Sequence, residues 1–173
     1  RPSAPGAAPP YARHPIAGAR QLLKQRGFRD EKLRRMLAVI EHHRDFDDGS
    51  GREPPSLFGR IVRIAEDYDN LCRRGGMWFS PGEALRRMIP HAGTYYDPLL
   101  LQAFVNRVGK YPPGSVLRLE DGRQVRSVSL ARSPETWDRP NCYVYRAADG
   151  SWPRDREEID LAQVDLATEL IDG

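Results

Sequence analysis

Residues 41–51, EHHRDFDDGSG, place two adjacent histidines, His42 and His43, beside a run of carboxylates and then break into glycine. Neutral imidazole and carboxylate are ligands for divalent metal ions. Imidazolium is also a group that a helix C-terminus favours, because it complements the macrodipole. The residues alone leave both readings open: a site for something hard and charged, or a polar helix end without chemistry. Other chemistry is scarce. Cys72 and Cys142 stand far apart in no zinc-like spacing and read as reduced thiols in an intracellular protein, one distant disulfide being the alternative. There is no G-x-x-x-x-G-K-S/T phosphate cradle and no nucleophile elbow. The aromatic residues are not interleaved with basic ones as in an RNA-recognition sheet, so generic nucleic acid is not an expected partner. Arg63 and Asp67, spaced i to i+4, read as a surface pair, and His91 after Pro90 carries no argument for function.

The elements that must position these residues follow from periodicity. Residues 1–12, RPSAPGAAPPYA, read as a Pro/Ala-rich linker. Ile16, Ala19, Leu22 and Leu23 define one face of a helix from His14 to Phe28, stopped by Gly27. Asp30 reads as the N-cap of a second helix reaching His43, with Leu33, Met36, Leu37 and Ile40 on its apolar stripe. The stripe continues to His43, which is therefore expected to face inward. After a loop, Pro54 and Pro55 open a long helix to Arg73, with Leu57, Phe58, Ile61, Ala65, Tyr68 and Cys72 on its buried face. Ser80, Pro81 and Glu83 form a capping-box start for a fourth helix, and Asp97-Pro98 starts a fifth. Beyond Tyr111 the pattern alternates around Asp121-Gly122, a hairpin signal, and CYVYRAADGSW reads as a third strand with its own turn. The acidic tail is expected to be a short helix or a docked extension.

The resulting fold class is mainly α: a bundle of about five helices at 13–111, with a small antiparallel β-appendage and tail at 112–173. At 173 residues the chain is long enough to bury a core without disulfides. Its net charge of +3 is uneven, with 19 Lys/Arg against 12 Asp/Glu in residues 1–110 and 8 against 12 thereafter. The basic part suits an anionic ligand, or is an ordinary Arg-rich helix surface. No apolar run approaches the roughly 18–20 residues of a membrane span, and the N-terminus has no signal-peptide core. A cytoplasmic location is expected. A sequence starting with arginine is expected to be a fragment or a processed product.

Four stretches, in order, resemble the HD-GYP family of HD-domain metal-dependent phosphohydrolases. HPIAGARQLL resembles its H-P-x-x-G-A-x-x-L helix start, and HHRDFDDGSGREPP its H-H-E-x-x-D-G-x-G-Y-P signature. RIVRIAEDYDNL is similar to its R-I-x-x-I-A-D-x-Y-D-A-L helix, and YYDPLLLQAFVNRVGKYPPGSVLRLEDGR to its closing helix and hairpin. The resemblance implies an HD-type helical bundle, hydrolysis of cyclic di-GMP, and a cluster of iron or manganese ions. The family's His-Asp pair is absent: no His-Asp dipeptide occurs in the chain. The G-Y-P triplet is replaced by Gly51-Arg52-Glu53, the glutamate after the histidine pair by Arg44, and the IAD aspartate by Glu66. The stretch that in the family faces the nucleotide is here RRGGMWF.

Carried over residue by residue, the resemblance implies metal ligands at His14, His42, His43 and Glu66. Asp69 would be an acceptor orienting an imidazole, and Arg73 and Arg74 would meet a nucleotide phosphate. Adjacent helical residues point about 100° apart, so the histidine pair is expected to serve two different ions. Each position has a bland alternative. His14 reads equally as a helix-start residue, and Glu66, well off the apolar centre of its helix, as a solvated acid. Four ligands are too few for a binuclear cluster with open positions, so the chain is expected to hold one divalent ion at reduced occupancy, or none. The expected function is a degenerate HD-GYP-type signalling domain with lost or weakened hydrolysis. Its partners would be cyclic di-GMP, another cyclic dinucleotide, or a signalling protein. The alternative is an active metal-dependent cyclic di-GMP phosphodiesterase whose remaining ligands lie in a further N-terminal segment.

Overall fold

Among the described residues, start signals and apolar spacing produce five α-helices before the first strand: α1 (His14–Leu23), α2 (Asp30–Glu41), α3 (Leu57–Arg73), α4 (Pro81–Met88) and α5 (Pro98–Val108). Five strands follow, β1 (Val116–Leu119), β2 (Gln124–Ser127), β3 (Asn141–Arg146), β4 (Glu158–Asp160) and β5 (Thr168–Leu170). This computed structural model describes residues 13–27, 29–73, 79–130, 133–164 and 168–171. Among them, no helix is long and apolar enough to cross a membrane.

The chain divides into two compact units. Residues 1–66 and 92–100 form one, and residues 67–91 and 101–173 the other. In the first, α1 stops at Leu23, earlier than its apolar pattern suggests, and Gly27 turns the chain with φ +85°. Lys32 locks that turn, its Nζ donating to the carbonyls of Gln25 at 2.6 Å and Gly27 at 3.1 Å. A cation there also complements the C-terminal end of α1. Arg29, not Asp30, holds the N-cap position of α2, in extended backbone and without a side-chain cap; Asp30 enters the first turn, where a carboxylate is favourable. The α2 helix ends at Glu41, so His42 and His43 lie just past it rather than on its stripe.

A brace then ties the following loop to α2. Ser56 N–H donates to Glu41 Oε2 at 2.8 Å, and Arg44 donates to both Glu41 Oε1 at 3.0 Å and the Glu53 carbonyl at 2.9 Å. The segment 92–100 joins the loop through Asp47 N–H donating to the Thr94 carbonyl at 2.9 Å and an Arg60–Asp97 ion pair. Asp97 Oδ1 also accepts from the N–H groups of Leu99 and Leu100, a cap that explains where α5 begins. The expected burial of the α2 and α3 stripes does not hold. Leu33, Ile40, Leu57 and Ile61 are each more than 40% exposed, while Gly59 and Ile64 are the buried positions of α3. Periodicity marks a stripe that prefers cover; it does not supply the covering element.

The second unit holds the larger core. Its sheet has the order β4-β3-β2-β1-β5 with all pairings antiparallel. Alternation sends Leu117, Leu119, Val125, Cys142, Val144 and Ile159 to one face, where they form a contiguous buried cluster with Tyr111 and Leu161. Burial pushes the Cys142 thiol up to about 12, as expected of an inert core cysteine. The acidic tail supplies edge strands rather than a helix, and β5 closes the sheet against β1. The fold is therefore mixed: the five helices and the antiparallel sheet of the sequence reading are present, but the sheet is a five-stranded layer with its own core rather than a small appendage. Ser80 caps α4 as its capping box predicts, accepting from Glu83 N–H at 3.3 Å.

The entry of α3 packs tightly on the end of α2, since a Cβ on Gly59 would lie 2.9 Å from Glu41 Cβ. That atom is fixed to the backbone and cannot rotate away. Gly59→Ala is therefore expected to destabilise by about 1–2 kcal/mol, overpacking outweighing the helix-propensity gain of roughly 1 kcal/mol. Urea unfolding would show the midpoint falling with the slope unchanged.

Candidate metal centre

The end of α2, the start of α1 and the middle of α3 bring His14, His42, His43 and Glu66 together. One ligand atom from each lies within 4.8 Å of all the others. His14 Nε2 is 2.9 Å from His42 Nε2 and 3.1 Å from His43 Nε2. Glu66 Oε2 approaches His42 Nε2 at 3.4 Å and His43 Nδ1 at 3.9 Å. His42 is the buried member at 6% exposure, and His43 is half-buried. That reverses the inward orientation expected of His43, because the helix has ended before the stripe reaches it.

The proton inventory is informative. His42 Nδ1 lies 2.8 Å from the Val39 carbonyl oxygen, which can only accept. Nδ1 of the neutral ring therefore carries the proton, and Nε2 presents its lone pair to the cluster. A carbonyl accepting from the far ring nitrogen fixes a metal-binding imidazole in this way. His14 Nε2 meets two other ring nitrogens, yet it holds either one proton or one lone pair. A neutral cluster thus cannot serve both contacts well. Glu66 Oε2 adds a buried acceptor that receives no hydrogen bond. Lone pairs and an orphaned carboxylate oxygen around one point fit a cation. Donor separations near 3 Å are also those of neighbouring ligands about 2.1 Å from a common ion. Three imidazoles and a carboxylate suit mid-transition divalent metals. His42 and His43 do not diverge toward two sites: their ring centroids are 4.0 Å apart and both rings face His14.

The other acids of the quoted stretch are used locally. Asp45 pairs with Arg63 at 3.3 Å, and Asp47 accepts from Gly49 N–H at 2.8 Å. Hydrogen bonds from Ser50 and Arg52 hold the Asp48 carboxyl down to about 2. Asp69 and Arg73 lie away from the four donors. They pair with each other at 2.9 Å, one turn apart on an exposed face, and the acceptor that orients His42 is Val39 O. Arg74 lies outside the described residues. Sequence reasoning had no signal for Val39, because any residue supplies a carbonyl; the Glu41–Ser56 brace was equally silent.

Comparison with known proteins gives one relevant similarity. The chain is 30% identical over 167 residues to the cyclic di-GMP phosphodiesterase PA4108 of Pseudomonas aeruginosa, a match covering 92% of this chain and 39% of that protein. The chain thus spans about two fifths of the length of the curated relative it matches. The similarity supports an HD-GYP-like relationship. No family model and no solved structure matches the chain.

His43 titrates below its ordinary value, chiefly because burial disfavours the imidazolium and His42 adds repulsion, with Glu66 partly offsetting both. The folded chain then binds fewer protons than the unfolded chain between the lowered and the ordinary histidine values. This contribution to stability is full above about pH 6.5 and is lost as pH falls through the folded value. Thermal unfolding of the metal-free chain is expected to show a lower Tm at pH 5.5 than at pH 7.5, and His43→Gln should flatten that dependence.

Proposed function

We propose that the chain is an HD-GYP-type domain of cyclic di-GMP signalling that holds one divalent ion in the His14–His42–His43–Glu66 corner and binds the dinucleotide with weak or no turnover. The single observation that carries this reading is the convergence of those four donors, 28 to 52 positions apart in sequence for His14 and its partners, within 4.8 Å. Similarity to a cyclic di-GMP phosphodiesterase over most of the chain supports the choice of ligand. Iron or manganese is the expected ion.

The four residues would hold the ion, and when bound it supplies Lewis-acid charge against a phosphodiester oxygen. The chain's own residues do the rest. The Val39 carbonyl keeps His42 in the ligating tautomer. Glu66 supplies the one anionic donor and lowers the net charge of the corner. Arg63, one turn before Glu66 on α3, adds positive charge that His43 feels, favourable for an anionic ligand. The chain contains no His-Asp pair, so a second ion lacks the bridging carboxylate that in-line hydrolysis between two ions employs.

A second reading rests on the span of the match. Because the chain covers 39% of its relative, a longer protein carrying further ligands would be an active phosphodiesterase. Elemental analysis and a cyclic di-GMP assay with added manganese or iron separate the two. The first reading expects at most one ion per chain, cyclic dinucleotide binding by calorimetry, and no linear product. Two or more ions with steady hydrolysis would overturn it in favour of the second. His42→Ala and Glu66→Ala are each expected to lower metal content at least tenfold; unchanged content in both would remove the site.

A further inference from the structure

The outer face of the sheet joins rings and guanidinium groups that the sequence keeps apart. Tyr143 and Tyr145 lie on β3 with Arg126 across from Tyr143 on β2. The Arg126 guanidinium lies 5.0 Å from the centre of the Tyr145 ring, and that of Arg156 lies 4.9 Å from Tyr143. Trp152 folds back from the β3–β4 connection, edge to face with Tyr145 at 5.0 Å, and the Arg146 guanidinium lies 4.8 Å from its ring centre. A register shift builds this arrangement. Gln124 pairs with Arg146 and Val125 with Val144, which leaves Tyr145 as an extra residue on β3. Val144 points into the core, so strict alternation would send Arg146 inward too. The bulge re-aims it to the solvent face beside Tyr145.

We propose that this face is a stacking platform for single-stranded nucleic acid, with the rings receiving bases and the guanidinium groups receiving phosphates. Trp152 is 62% exposed, a large amphipathic ring held at the surface rather than buried. Arg126 and Arg146 form no ion pair among the described residues, and Arg126 Nε is buried without an acceptor. Edge strand β4 carries two carboxylates on this face: Glu158, which pairs with Arg156 at 3.3 Å, and Asp160 opposite Asn141. The corner formed by Arg126, Tyr145, Arg146 and Trp152 therefore offers unneutralised cations next to ring faces. That is the combination with which unstacked bases and their backbone are bound. A duplex, whose bases are already stacked on each other, has no ring faces to offer. The platform lies in the sheet unit and does not depend on the metal corner.

Fluorescence anisotropy of a labelled short oligodeoxyadenylate with the full chain, in low salt and with chelator present, tests this. The expected result is saturable binding that Trp152→Ala weakens about tenfold or more and Trp152→Phe largely restores. Arg126→Gln and Arg146→Gln should each reduce the log–log salt slope by about 0.7. The duplex of the same sequence, and heparin as a base-free polyanion, should bind much more weakly than the single strand. Three results would each overturn the platform: no binding of the single strand, equal binding of duplex or heparin, or binding indifferent to Trp152→Ala. Both tryptophan variants change an exposed side chain, and far-ultraviolet circular dichroism would verify that they remain folded.

Discussion

Everything in the helical unit turns on the unfavourable meeting of His14 Nε2 with two other imidazole nitrogens beside an orphaned carboxylate oxygen. A chain does not gather such groups for packing. Each lone pair removed from water without a donor costs on the order of 1–3 kcal/mol, and the neutral rings cannot all compensate one another. The arrangement would become favourable with a divalent ion among the four donors, whereas protonation of His43 is opposed by burial and by His42. Electrostatics therefore distinguishes this corner from a helix end that happens to carry histidines. In the helix-end reading an imidazolium points along the axis toward the terminal carbonyls. Here His42 Nδ1 does reach Val39 O, but that contact turns Nε2 away from the helix and into the cluster.

The backbone that enforces this meeting is specified at the far end of the helix pair. Lys32 gathers the terminal carbonyls of α1 and the turn, and so sets where α2 begins relative to α1. Twelve residues of α2 then carry that register to His42. The Glu41 brace works from the other side. Burial pushes the Glu41 carboxyl up, but hydrogen bonds from Ser56 and the nearby Arg44 guanidinium outweigh it and hold the carboxyl below its ordinary value. The ionised carboxylate so favoured ties the loop to α2 immediately before the histidines. Gly59, which admits α3 against Glu41, lets the helix bearing Glu66 approach. The four candidate donors are thus positioned by residues outside the cluster.

What could be read in the sequence divides along the same line. Local signals were legible: Ser80 and Asp97 cap the helices they announce, and Asp121-Gly122 turns a hairpin with Gly122 at φ +89°. The four donors were legible only through motif resemblance, since no periodicity connects His14 to Glu66. The helix end at Glu41 is not legible in the sequence because His42 and His43 are not helix breakers; the chain leaves the helix where the Arg44–Glu41–Ser56 contacts offer it other partners. The stripes of α2 and α3 stay exposed because amphipathicity reports a preference for cover without naming its source. Asp69 lies one turn beyond Glu66 on the same helix, where the guanidinium of Arg73 pairs with it.

The sheet shows a further limit, one of topology rather than propensity. The sequence shows no ladder of aromatic residues interleaved with basic ones, because Arg126 lies on β2, Tyr143 and Tyr145 on β3, and Trp152 and Arg156 in the β3–β4 connection. Antiparallel pairing of β2 with β3 sets Arg126 opposite Tyr143, and one inserted residue rotates Arg146 onto the same side. The inner face tolerates that insertion because Val125 and Val144 still meet in the core, so the irregularity is confined to the solvent side. A bulge that disturbed the core would be opposed by every buried side chain along the strand. One that leaves the core in register changes only what the sheet presents to solvent.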